Sequence, residues 1–161
     1  MDAKATASNH LAKPNRASHG PRVRAKGRVR RVRGKAKDNL TIPISVDIYG
    51  FNSWYHFGNW IGQDMEEFSY IVDAISPMVY PSHFGGRFYM SGSRAERPFR
   101  IVHDGGLRAN LLINYRVAIR PYLQAFKMMS PTWGPGYILN QIKGSVKSGC
   151  KGYIFWNARG D

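Results

Sequence analysis

The chain has 161 residues, 43% of them hydrophobic and 13% aromatic, and a formal net charge of +14. This is enough apolar material to bury the core of one domain, while a single cysteine, Cys150, excludes an internal disulfide and with it a disulfide-stapled secreted scaffold. No apolar run reaches signal-peptide or membrane-spanning length, so the chain reads as soluble, without membrane contact or a visible export signal, and cytoplasmic by default.

The charge is unevenly spread. Residues 1–40 hold twelve Lys and Arg against Asp2 and Asp38, a net +10, whereas residues 41–161 carry +4. The densest part, "HGPRVRAKGRVRRVRGKAKDNL", lies in a segment with no aromatic residue and only scattered Val, Leu and Ala. Such a segment cannot bury enough surface to offset its ordering entropy, so residues 1–39 are expected to form a disordered basic tail and residues 40–161 the folded part. Two roles fit the tail. Residues 13–37 would act as a salt-sensitive arm for non-specific nucleic acid, or the segment is a solvated extension, as its lack of aromatics for base stacking suggests.

From Leu40 onward, short apolar runs alternate with helical stretches. "IPISVDIYG" (42–50) is a β-branched strand closed by Gly50, and the aromatic-rich loop "FNSWYHFGNW" (51–60) behind it either lines a cleft or covers the core. "GQDMEEFSYIVDA" (62–74) places Met65, Phe68, Ile71 and Val72 at helical spacing, with Asp64, Glu66 and Glu67 in its first turns, where the macrodipole favours acids. "ISPMVYP" (75–81) is the second strand. "RPFRIVHDGGLRANLLINY" (97–115) reads as a helix from near Pro98 with Ile101, Val102, Leu107, Leu111 and Leu112 inward, and a break is expected at Gly105 and Gly106. "VAIRPYLQAF" (117–126) is the third strand. "GPGYILNQIKGSVKSG" (134–149) is a helix with Tyr137, Ile138, Gln141, Ile142 and Val146 on one side and Gly149 as its C-cap, and "GYIFWNA" (152–158) is the fourth strand.

This alternation is the signature of parallel βαβ units and sets the class as α/β. No glycine-rich phosphate loop follows the first strand, so dinucleotide binding has little support. Pro77 and Pro121 each remove a ladder donor, which predicts irregular, bulged strands. The five histidines, His10, His19, His56, His83 and His103, show no paired ligand spacing, so neither a metal nor a cofactor is expected. Cys150, with no His or Lys beside it, reads as a small buried apolar residue.

Taken in this order and at this spacing, "ISVDIYG", "IGQDMEEFSYIVDAISPMVYPSHFG", "IRPYLQAF" and "GYIFWNA" resemble the C-terminal half of the "putative glycosyl hydrolase domain" family. The resemblance covers residues 40–161 and implies a (β/α)8 barrel of which this chain carries the last four strands. It also implies a partner strand resembling Asp-Tyr-Xaa-Arg-Phe-Pro that supplies a carboxylate, and no such stretch occurs here. The implied product is a glycoside hydrolase fragment, inactive as it stands and prone to self-association through open barrel edges.

In such barrels the active site gathers at the C-terminal ends of the strands. That rule places Asp47, Tyr80, Ser82, His83, Gln124, Trp156 and Asn157 on one rim. Glycoside hydrolysis needs two carboxylates; Asp47 is the expected catalytic member, its partner lying on the other half. Tyr80 and Trp156 would stack on sugar rings of a polysaccharide or oligosaccharide, while His83, Gln124 and Asn157 would bind hydroxyls. Asp73, just ahead of the second strand, is expected to serve stability, and Glu66 and Glu67 to face solvent.

Overall fold

A computed structural model describes residues 42–55, 61–89 and 92–160. The basic tail, and the nucleic-acid arm expected within it, lie outside the described residues. Among those residues, five short strands alternate with three helices: β1 (Ser45–Tyr49), α1 (Met65–Phe68), β2 (Ala74–Met78), α2 (Arg97–Leu112), β3 (Ala118–Ile119), β4 (Tyr122–Gln124), α3 (Pro135–Lys147) and β5 (Ile154–Trp156). Every pairing is parallel, and the strands lie side by side in chain order, with β2 between β1 and the β3–β4 pair and β5 on the far side of β4. The α/β class built of parallel βαβ units is the observed one.

The third expected strand is split, and the prolines explain the split. Ala74 faces Ala118 and Ile75 faces Ile119, then Met78 faces Tyr122. The register is therefore the same on both sides of the gap, and it sets Pro77 opposite Pro121. Two facing residues without an N–H lose the ladder bonds between them. The expected bulge does not form, because no residue is inserted on either strand.

Alternation along the strands sorts the side chains into two faces. Ile48, Ile75, Val79, Ile119 and Leu123, all fully buried, point toward the helices. They join two clusters: one holds Met65, Phe68, Ile71, Val72, Ala109 and Ile113, the other Phe84, Ile101 and Val102 with Phe51 and Trp54 against it. The opposite face carries Asp47, Tyr49, Met78, Tyr122, Ile154 and Trp156, and no described element covers it. Tyr49 is 41% and Trp156 48% exposed. Among the described residues, no helix is long and apolar enough to cross a membrane.

The helices depart from their expected bounds for local reasons. The helix expected over 62–74 is a single turn capped by Asp64, whose side chain accepts from the Glu67 N–H at 3.1 Å. Beyond Phe68 the Ser69 hydroxyl donates to the Glu66 carbonyl at 2.6 Å, and the chain turns so that Asp73 and Ala74 donate to the Ile44 carbonyl and start β2 beside β1. Ile71 and Val72 reach the core from that turn, not from a helix.

α2 runs unbroken through Gly105 and Gly106, contrary to the expected break. Both glycines are contact points: a Cβ on Gly105 would lie 2.9 Å from Trp54, and one on Gly106 would lie 2.7 Å from the Cys150 sulfur. The buried stripe of α2 is therefore Ile101, Val102, Gly105, Gly106, Ala109 and Asn110, while Leu111 is 56% exposed instead of inward. α3 rotates in the same way, burying Tyr137, Gln141, Gly144 and Ser145 and leaving Val146 66% exposed. Gly144 lets α3 approach the α2 backbone, its notional Cβ only 2.7 Å from the Phe99 carbonyl oxygen. Gly149, at φ +78°, follows α3 as the expected left-handed residue.

Candidate functional site

The strands end at one edge of the sheet, and the segments leaving them build a rim around Gln124, the last residue of β4. Its side-chain oxygen accepts from the Ser82 N–H at 3.0 Å and from the Tyr137 hydroxyl at 2.9 Å. Its side-chain nitrogen donates to the Phe126 carbonyl at 2.8 Å and to the Ser130 hydroxyl at 2.9 Å. Its backbone N–H donates to Gln141 Oε1 at 2.8 Å, and its carbonyl accepts from Gln141 Nε2 at 3.0 Å. Gln124 is wholly buried. This corrects the expectation that it hydrogen-bonds a substrate hydroxyl: the side chain has no open surface, and it ties together the loops that carry the other rim residues.

A second tie comes from the start of α2. The Arg97 guanidinium donates to the carbonyls of Pro81, Phe84, Gly85 and Phe88 at 2.7–3.1 Å, so the loop after β2 is wrapped around one side chain. Burial lowers the Arg97 pKa from its ordinary value.

Held in this way, the rim encloses a cleft of about 640 Å³ that Tyr80, His83, Phe126, Trp133, Trp156 and Asn157 line together with Lys127 and Arg159. Tyr80 forms part of its floor. Only 5% exposed, it meets His83 edge-on at 5.1 Å and Phe126 at 5.5 Å; such pairs add about 0.5–1.5 kcal/mol each beyond area burial. Burial, then the neighbouring Tyr122 and Asp47, pushes the Tyr80 phenol far above its ordinary value, so it stays protonated. His83 stands at the surface of the cleft, and the partial desolvation of its ring lowers its pKa below 6.5. An imidazole in that state is neutral at pH 7, able both to donate and to accept a hydrogen bond. Trp156, half exposed, offers a ring face, and Tyr122 stands edge-on to it at 6.3 Å.

Asp47 lies on the same sheet face but does not line the cleft. It faces Ser76 across the sheet, four residues before Tyr80 on the same face, and its charge still acts on the Tyr80 phenol. The Tyr122 hydroxyl, one layer up, donates to Asp47 Oδ2 at 3.3 Å and links the carboxylate to the aromatic layer above it. Burial, then the Asp47 charge, raises the Tyr122 pKa and keeps it a donor.

Of the seven residues placed on the rim in sequence, Tyr80, His83, Trp156 and Asn157 line the cleft, Ser82 lines a neighbouring hollow, Asp47 sits below the cleft, and Gln124 is buried beneath the rim. Sequence reasoning missed Phe126, Lys127, Trp133 and Arg159, which lie two to nine residues beyond a strand end and show no periodicity of their own. Asp73 holds the other end of the sheet: its carboxylate accepts from the Ile44 N–H at 2.9 Å. In the loop after β1, Phe51 and Trp54 pack against the core, while residues 56–60 lie outside the described residues. Among the described residues, no group of three His, Cys, Asp or Glu side chains could hold a metal ion.

No curated protein and no solved structure matches the chain. A family model described as "putative glycosyl hydrolase domain" matches residues 18–161. The match starts within the basic segment, upstream of the compositional boundary at residue 40. Since it spans most of the 161 residues, the chain belongs to the putative glycosyl hydrolase domain family.

Proposed function

We propose that the chain is a carbohydrate-binding half of a (β/α)8 glycoside hydrolase barrel, with the rim cleft as its sugar site. The barrel reading is supported by strand order: consecutive parallel strands are neighbours and the helices pack on one face, whereas a doubly wound sheet reverses its order and covers both faces. The sugar reading rests on one observation above all: Tyr80, His83, Trp156 and Asn157 from separate strand ends converge on a single cleft. Aromatic faces take the C–H side of a pyranose, and the imidazole and amide take its hydroxyls.

Hydrolysis requires a second carboxylate about 5–10 Å from the first. Among the described residues the open sheet face holds one, Asp47, so the four strands that would complete the barrel supply the other. The chain by itself then binds sugar and does not cleave it. The test is a titration of the full chain with neutral and acidic oligosaccharides, read by tryptophan fluorescence. Trp156→Ala should weaken binding at least tenfold, and Asp47→Asn should change it less than threefold. Saturable binding that survives Trp156→Ala would place sugar elsewhere and end the proposal.

A further inference from the structure

We propose that the cleft is built for acidic glycans, sugar chains carrying carboxylate groups, with Lys127 and Arg159 as the residues that select them. The inference rests on the sugar-binding reading above and goes beyond it in naming the substrate class.

Among the described residues, the cleft lining contains two cations and no Asp or Glu. Lys127 and Arg159 are both exposed and follow different strands, β4 and β5, and both line the cleft together with Trp156. Toward a neutral sugar each cation gives up rotamer freedom for a hydrogen bond in which only the donor is charged. A carboxylate on the sugar adds the opposite charge to the same contact, and an Arg fork can meet it with two parallel bonds.

The surroundings carry the same sign. The loop that contributes Met128 to the cleft contributes Met129, Ser130 and Thr132 to a second hollow of about 290 Å³ on its other side. Among the described residues that hollow is lined by Arg94, Arg97 and Arg100, again with no Asp or Glu. The Arg97 guanidinium is held by main-chain carbonyls, which leave its positive charge uncancelled. Among the described residues the linings of the two adjoining depressions thus hold five cations and no carboxylate, a balance that favours polyanions at the rim. Glu96, directly before Arg97 in the chain, and Asp47, bonded to Tyr122, stand outside both linings.

The experiment compares tetramers of galacturonate, of mannuronate and of the hyaluronan repeat with their carboxyl-reduced neutral forms, each titrated into the full chain and followed by the tryptophan indole NMR signals. At least one acidic tetramer should bind tenfold or more tightly than its reduced form, and added salt should narrow that gap. Lys127→Gln with Arg159→Gln should bring the two within twofold of each other without disturbing the spectrum, and Trp156→Ala should weaken both. The basic tail is common to every variant, so its attraction for polyanions drops out of the difference between the wild-type chain and the double variant. Equal binding of acidic and reduced forms would overturn the inference and leave the sugar reading standing. Acidic preference that persists in the double variant would assign it to the tail and also overturn the inference. Binding of neither form would remove the sugar reading and the inference together.

Discussion

Gln124 serves several partners with one amide, and each of them belongs to a segment that shapes the cleft. Replacing it with leucine keeps the volume and removes every side-chain bond, so the Ser82 N–H and the Phe126 carbonyl lose this partner and the Tyr137 hydroxyl is left with Ser130 alone. Leaving buried groups unsatisfied costs about 1–3 kcal/mol each, with partial relaxation, so Gln124→Leu should lower the unfolding free energy by about 3 kcal/mol in a urea titration. A loss below about 1 kcal/mol would show that the rim is held by other contacts. His83 gives a prediction in pH. Its folded pKa lies below that of the unfolded chain, near 6.5, so its contribution is full above about pH 6.5 and is lost as the pH falls through the lower folded value. His83→Asn should flatten the stability profile in that acidic window, and an NMR titration of His83 should place its midpoint below 6.5. The positions of Tyr80, His83, Trp156 and Asn157 were legible because each follows a β-rich run at the point where turn residues begin. The burial of Gln124 was not, since a polar residue at a strand end looks the same whether it faces a ligand or knots the loops beneath one.

At the scale of elements, the strands were readable from β-branched runs, and their parallel pairing from the helical stretches between them. The inward faces of α2 and α3 were misread because apolar periodicity assumes that the helix buries its largest side chains. Here close approach decides instead: α2 sets Gly105, Gly106 and Ala109 against the core, α3 sets Gly144 against α2, and Leu111 and Val146 turn outward. Two glycines of α3 separate propensity from packing. Alanine is favoured over glycine by about 1 kcal/mol inside a helix. At Gly136, with nothing within 4 Å of a built Cβ, Gly136→Ala should raise the melting temperature. At Gly144 the same change meets the Phe99 carbonyl at 2.7 Å and the His103 nitrogen at 3.0 Å, backbone atoms that cannot swing aside. Gly144→Ala should therefore lower the melting temperature, by an amount that outweighs the propensity gain. Shifts of the same sign at both positions would mean that α2 and α3 are not packed as closely as their backbones indicate.

On the scale of the whole molecule, the described residues form a sheet with two unpaired edges and one uncovered face. No described strand pairs with the outer side of β1 or of β5, and Tyr49 and Trp156 leave much of their ring area in water on the face away from the helices. Unpaired parallel edges next to exposed aromatics are the geometry through which chains add to one another. Against this stands the charge of the molecule, +14 overall and mostly in the first 40 residues, which repels a second copy. The balance should move with ionic strength, since screening weakens repulsion while leaving edge pairing and aromatic burial intact. Sedimentation of the full chain across the micromolar range is expected to show weak association at low salt that strengthens as salt is added, the reverse of the salt response of a nucleic-acid arm. Tyr49→Lys with Ile154→Lys places two charges on the open face without touching the helix-side core, and it should keep the chain monomeric at high salt. A wild-type chain that stays monomeric at every salt concentration would mean that the edges and the open face are already covered by residues beyond those described, and the half-barrel reading would lose its main physical consequence.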